Sequence, residues 1–139
     1  MTSALEDKLA IEELIATYNQ SLDGGNYEGW LACWADDAVF DGLGKYLVGI
    51  QAIRGFADGY EVGYRQRLPA LKHYTINILS KIDGDRASSS SYVQLTTLSD
   101  KGVRILLTGS YEDDLKRIDG RWRFARRKLH QDIPPPAAG

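Results

Sequence analysis

Hydrophobic residues enter this chain at helical spacing: Leu5, Leu9, Ile11, Leu14, Ile15, Tyr18 and Leu22 recur at steps of three and four, with Glu6, Asp7, Lys8, Glu12 and Glu13 on the other side. That repeat predicts an amphipathic helix that buries one stripe and wets the opposite one. Gly24-Gly25 ends it, because glycine adopts the left-handed conformation of a C-cap without strain, and Asn26 can cap a short second helix through Trp34. Asp36-Asp37 breaks that helix, and Ala38 to Asp41 reads as a short strand. A third helix is expected from Ile50 to about Arg65, with Ile53, Phe56, Ala57 and Tyr60 on one stripe, and Pro69 closes the helical half.

From Lys72 the period changes to two. Lys72 to Ile82, Arg86 to Leu98, Val103 to Ile118 and Arg121 to about Ile133 alternate as strands, separated by Asp83-Gly84-Asp85, Ser99-Asp100-Lys101-Gly102 and Asp119-Gly120. Three tight turns predict an antiparallel meander, and strands of this length imply strong twist or a bulge, for which Gly109 is the expected place. Ser88 to Ser91 belongs to the second long strand, its small side chains admitting close neighbours. Helices first and strands afterwards predict an α+β fold with the helices on one face of a curved antiparallel sheet. Residues 1–133 form one domain, and the Pro-rich tail 134–139 cannot continue a strand.

Composition narrows the classes of function. A chain of 139 residues accommodates one core, and 43% hydrophobic with 26% charged residues is the balance of an ordinary globular protein. Seventeen basic against nineteen acidic residues leave a net charge of -2, so there is no positive field to hold nucleic acid. The single cysteine, Cys33, has no partner for an internal disulfide and sits in an apolar run, which reads as a packed thiol in a reducing, cytoplasmic setting. Two histidines do not furnish a closed zinc site, and no apolar run reaches the length of a membrane span.

The stretch from Ile15 through Tyr18, Asp23 and Trp34 to Phe40 resembles the opening of the nuclear transport factor 2-like superfamily, and Asp119 to Arg127 resembles its last strand. Together with His73 and the hairpin order, the likeness covers nearly the whole chain. It implies a conical partial barrel of curved sheet, closed on one side by helices and enclosing a hydrophobic pocket. Within the superfamily the chain resembles the SnoaL-like group that includes scytalone dehydratase, bile-acid 7α-dehydratase and hexachlorocyclohexane dehydrochlorinase. Those enzymes eliminate water or halide without a cofactor or metal. Their shared pair, an Asp at the end of the first helix and a His on the first long strand, falls here on Asp23 and His73, and a helix Tyr five residues before the Asp falls on Tyr18. The second pocket histidine of scytalone dehydratase has no counterpart in the Gln94 to Thr97 region.

The residues themselves suit that chemistry. Asp23 stands where the helix macrodipole disfavours an anion, so helix stability does not account for it. His73 shares strand parity with Thr75 and Asn77 on the more polar face, and an imidazole oriented by a carboxylate can take a proton from carbon and return it to a leaving hydroxyl. Tyr18 lies on the buried helix stripe, where its hydroxyl needs a partner that a substrate oxygen can supply. Tyr46, Arg126, Trp34 and Phe56 are candidate substrate contacts, Arg126 by the alternation that places it with Trp122, Phe124 and Lys128. The expected activity is a lyase, dehydratase-like, on a small hydrophobic cyclic or polyketide-like substrate. The alternatives are an isomerase or cyclase with Asp41 or Asp23 as base, and a non-catalytic ligand-binding or accessory domain. The resemblance further implies a homo-oligomer, trimer or dimer, while the charge balance and the short apolar runs point to no nucleic-acid or membrane partner.

Overall fold

The computed structural model describes residues 2–134; apart from Pro134, the Pro-rich tail lies outside the described residues. Ser3 caps the first helix, α1 (Ala4–Gly24), its hydroxyl accepting from the Glu6 backbone N–H, and Gly25 at φ 75° ends it where the Gly24-Gly25 pair predicted. Asn26 caps α2, which is shorter than expected at Tyr27–Leu31, so that Trp34 opens a strand instead of ending a helix. That strand, β1 (Trp34–Gly42), turns back into the brief β2 (Lys45–Val48), which the alternation was too short to reveal. Next comes α3 (Ile50–Tyr60), whose last turn widens into a π-helical turn over Glu61–Arg65.

The four long strands are β3 (Lys72–Asp83), β4 (Arg86–Ser99), β5 (Gly102–Ile118) and β6 (Arg121–Gln131). They form the expected antiparallel meander, extended on the far side by β1 and β2 to give the order β2-β1-β6-β5-β4-β3. β1 pairs with β6 in parallel, a contact between distant parts of the chain that no local signal announces. The sheet is curved and unclosed, with β2 and β3 as its edges, and the helices cover its inner face.

Irregularities in the pairing decide which side chains face inward. The register shifts between Ile76 and Leu79, between Leu95 and Thr96, and between Asp114 and Leu115 opposite Phe124 and Arg126. Gly109, the expected bulge, keeps its register. It serves instead as a point of close approach, since a Cβ there would collide with the backbone carbonyl of His130.

Aromatic rings fill the space between helices and sheet. Tyr18, Trp30, Trp34, Phe40, Phe56 and Phe124 pack with centroids 5.4–6.1 Å apart. Geometry of this kind adds orientation to hydrophobic burial. At the start of α1, the Asp7 carboxylate receives Arg117 Nη1 at 2.7 Å, the Thr2 hydroxyl at 2.6 Å and Trp122 Nε1 at 3.2 Å, while Arg117 also reaches Asp85. This clamp holds α1 to the β3–β4 turn and to β5 and β6. Along its length the helix lies against β3 through Lys8 Nζ to Ser80 O at 2.7 Å and Asn19 Nδ2 to Thr75 Oγ1 at 3.0 Å. No helix of the described residues is long and apolar enough to cross a membrane.

Candidate functional site

Anchored at Lys8 and Asn19, α1 delivers its last turn to the first residues of β3. There Asp23 Oδ1 lies 2.6 Å from His73 Nδ1, and Oδ2 accepts the His73 backbone N–H at 2.9 Å. One carboxylate thus holds both the ring and the backbone of the same residue. Because a carboxylate only accepts, the neutral imidazole is held in the tautomer with its proton on Nδ1, which leaves Nε2 with the lone pair of a base. The two side chains are 10% and 15% exposed. Screening from bulk water is substantial, yet a small molecule can approach.

The dyad opens onto a groove of about 780 Å³ lined by Gln20, Asp23, Arg65, Leu68, Leu71 and Lys72 among others. This corrects the expected enclosed, hydrophobic chamber around the pair. The aromatic residues expected to line such a chamber pack against one another in the middle of the cone, and the groove carries charged and polar side chains as well as apolar ones. Arg65 is held there by Glu61, whose Oε1 accepts Nη2 at 2.9 Å, and Tyr27 donates to the same carboxylate at 2.6 Å. Those contacts, Arg65 first, hold the Glu61 carboxyl down at about 2.

On the interior side, the ring of Tyr60 stands 6.2 Å from that of His73 and 5.9 Å from Phe56. Its hydroxyl is buried with no hydrogen-bond partner, and burial drives its proton affinity well above that of a free phenol. Tyr18 is also fully buried and its phenol is likewise pushed far up, by burial first and Tyr111 second, against the pull of Arg127. Both phenols remain protonated donors at neutral pH. The sequence places Tyr60 on the buried α3 stripe without marking it as a site residue. Its place four residues after Phe56 on the α3 stripe was the signal that could have singled it out.

The remaining candidates are placed differently from one another. Trp34 lies in the aromatic core against Tyr18, Trp30, Phe40 and Phe124, and Phe56 bridges Trp30 and Tyr60. Tyr46 is 64% exposed on the edge strand β2, outside the groove. Arg126, a candidate contact whose orientation the alternation with Phe124 left open, does not reach the groove. The bulge at Ala125 inverts the parity of β6, so Arg126 turns to the outer face, 45% exposed and 3.6 Å from Asp41. Asp41, the alternative base, is turned outward with it. Cys33 is buried, donates to Gly29 O at 3.5 Å, and burial pushes its thiol up to about 11, as befits a packed, unreactive group.

The same bulge turns Arg127 inward, where unbroken pairing beyond Phe124 would leave it on the outer face. It is 0% exposed, and its Nε donates to Asp113 Oδ1 at 3.0 Å, while Ser89 donates to the other oxygen at 3.2 Å. Its guanidinium carbon lies 3.5 Å from the centre of the Tyr111 ring, 4.4 Å from Tyr18 and 4.5 Å from Phe124. Burial by itself would lower the Arg127 pKa; Asp113 and the tyrosines outweigh it, and the net shift is upward, so the group stays charged.

The model of the SnoaL-like domain matches residues 3–128. No curated protein matches the chain. Among solved structures, a protein of unknown function from Mycobacterium tuberculosis is 31% identical with a TM-score of 0.81, the alignment covering 94% of this chain and 76% of that one. A nuclear transport factor 2-like protein of cystatin-like fold from Novosphingobium aromaticivorans is 23% identical at a TM-score of 0.83, covering 96% of this chain and 87% of that one. A candidate scytalone dehydratase from the same organism is 22% identical at 0.80, over 97% and 95%. At their lower identities the last two show the fold alone.

Proposed function

Because the chain belongs to the SnoaL-like domain family, we propose that it is a lyase that removes water from a small cyclic or polyketide-like substrate by general acid–base chemistry. One observation carries this reading: Asp23 Oδ1 stands 2.6 Å from His73 Nδ1 beside a groove of molecular size. In a β-hydroxy carbonyl substrate, His73 Nε2 takes the proton from the carbon next to the carbonyl, and charge moves to the carbonyl oxygen as an enolate. The protonated phenol of Tyr60, whose ring is 6.2 Å from that of His73 on the interior side, is the nearer donor for that oxygen, and Tyr18, deeper in the aromatic core, reaches it only if the substrate passes inward of the groove. The imidazolium, stabilised by Asp23, then gives its proton to the leaving hydroxyl. The C–O bond breaks with its electron pair on oxygen, a C=C bond forms, water departs and His73 is restored. The scytalone dehydratase name of a structural neighbour lends the reading support by analogy.

The isomerase or cyclase alternative keeps Asp23 and His73 but returns the proton to carbon. Asp41 is a poor base for it, being turned toward Arg126 on the outer face. Incubation with β-hydroxy ketones and mass spectrometry separates the two, since elimination gives a product lighter by one water. Unchanged turnover in the Asp23→Asn and His73→Ala proteins would exclude both. We further propose a cytoplasmic dimer or trimer assembled through the outer sheet face, where Tyr74, Ile76, Leu79 and Tyr92 are exposed beside one another. Sedimentation of the wild-type protein as a monomer would reject that assembly.

A further inference from the structure

Of the charged side chains that border the dyad groove, Lys72 alone is unmatched among the described residues. Glu61 takes Arg65 by both edges, Nε at 2.5 Å and Nη2 at 2.9 Å, and the guanidinium lies so close on Gly25 that a Cβ there would stand 2.7 Å from Nε. Asp23 is engaged twice by His73. Lys72 makes no ion pair and no side-chain hydrogen bond among the described residues, and neither do the exposed Arg67 and Arg104. All three stand at one end of the sheet. Arg67 precedes the groove residue Leu68, and Arg104 is the cross-strand partner of Thr97, whose hydroxyl donates to the carbonyl of the groove residue Pro69 at 2.6 Å. Lys101 follows in the β4–β5 turn, beside the acid Asp100. In a chain whose net charge is -2, this end carries a local excess of positive charge.

We infer that the groove receives a substrate bearing a phosphate group, its reacting carbon at His73 and its phosphate at the mouth against Lys72, with Arg67 and Arg104 adding to the field. The inference rests on the lyase reading and names the substrate class. Successive side chains of a strand leave opposite faces, so Lys72 departs β3 on the other side from His73 and borders the groove around the free edge of the sheet. A ligand that touches both passes over that edge along Leu68, Leu71 and Tyr74, which suit an apolar body. The dyad end repels an anion, because the carbonyl terminus of α1 and the Asp23 carboxylate are both negative there. Charge thus fixes which way round the substrate lies. Several unpaired cations match a multiply charged phosphate better than a planar carboxylate, for which the fork of Arg65 is already taken by Glu61. A groove of about 780 Å³ is of the size that holds such a ligand. The phosphate belongs either to the substrate itself or to a phosphorylated arm that carries it.

The test needs no known substrate. 1-Naphthyl phosphate, 1-naphthol, pantetheine 4′-phosphate and inorganic phosphate are titrated against the intact protein by NMR, with the backbone amides of Gly24, Lys72 and Tyr74 reporting the place of binding. An exposed charge pair contributes up to about five-fold, so these cations together predict that 1-naphthyl phosphate binds about ten-fold or more tighter than 1-naphthol. Tighter binding of 1-naphthyl phosphate than of inorganic phosphate supports the inference with the phosphate on the substrate, and tighter binding of pantetheine 4′-phosphate supports it with the phosphate on a carrier. Lys72→Gln is expected to lose about five-fold, and the variant with Lys72, Arg67 and Arg104 all changed to Gln to lose the preference altogether. Lys45→Gln, on the opposite edge strand, is expected to bind as the wild type does. Equal binding of phosphate and naphthol, inorganic phosphate as tight as either larger ligand, or perturbed amides away from the groove would overturn the inference. None of these readouts depends on turnover: neutral β-hydroxy ketones dehydrated by a protein with no phosphate preference would sink this inference and leave the lyase reading standing, whereas phosphate binding without elimination from any β-hydroxy ketone would count against the lyase reading and not against the anion site.

Discussion

Replacing Asp23 by Asn changes one oxygen into an NH2 group and leaves the rest of α1 in place. In the native site Asp23 accepts twice from His73, at 2.6 Å from Nδ1 and at 2.9 Å from the backbone N–H. Asparagine has a single acceptor oxygen, so only one of the two bonds survives, and the amide that replaces the second oxygen can only donate. If the oxygen keeps the backbone N–H, the amide faces Nδ1, forces it to act as acceptor and moves the ring proton to Nε2. The base is then blocked. A hydrogen bond to a charged group is worth roughly 1.5–3 kcal/mol; with one bond retained and the pair partly open to water, the expected loss of stability is about 2 kcal/mol. That is within what a domain of ordinary stability, about 5–15 kcal/mol, survives. The expected loss in turnover is far larger, on the order of 10³–10⁴-fold, the scale seen when the orienting Asp of a Ser-His-Asp triad becomes Asn. The primary assay is ¹⁵N NMR of the imidazole at a pH where it is neutral, which reports the protonated nitrogen with no substrate present. Wild type should show the proton on Nδ1 and the variant on Nε2. A wild-type proton on Nε2, or a variant with the wild-type tautomer and turnover, would refute the reasoning.

Three further outcomes follow from the same structure. Arg127→Met leaves Asp113 buried without its cation and should cost about 3–5 kcal/mol in urea unfolding, with Asp113→Leu in the same chain restoring a good part of it; equal losses in single and double variants would contradict the pairing. Glu61 is held down at about 2 by Arg65 and Tyr27, so the stability it contributes is fully present above the unfolded carboxyl value near 4.5 and is lost as pH falls toward 2. Thermal unfolding of Glu61→Gln should therefore differ from wild type at pH 6 and converge with it near pH 2. Gly109→Ala places a methyl group against the His130 carbonyl, where the paired strands leave no room to yield, and should destabilise by about 2 kcal/mol, measurable as a lower denaturation midpoint.

Local chemistry in the chain was enough to determine its first helix and its four long strands. The stripe from Leu5 to Leu22, the Gly24-Gly25 stop and the hairpin turns at Gly84 and Gly120 are signals carried within a few residues, and each element stands where they point. The resemblance in Tyr18, Asp23 and His73 likewise named the pair that the fold brings to 2.6 Å. Tertiary structure decided what depends on distant partners. β1 is a full strand because β6 lies beside it in parallel, and the aromatic residues expected around a chamber fill it because α1, α2 and α3 press them onto one sheet face. Most consequential is the bulge in β6. A period-two pattern assumes unbroken pairing, and one extra residue opposite Asp114 and Leu115 reverses every side chain after it. Adjacent arginines are indistinguishable by composition, and only that shift turns Arg127 into the core and Arg126 out to water.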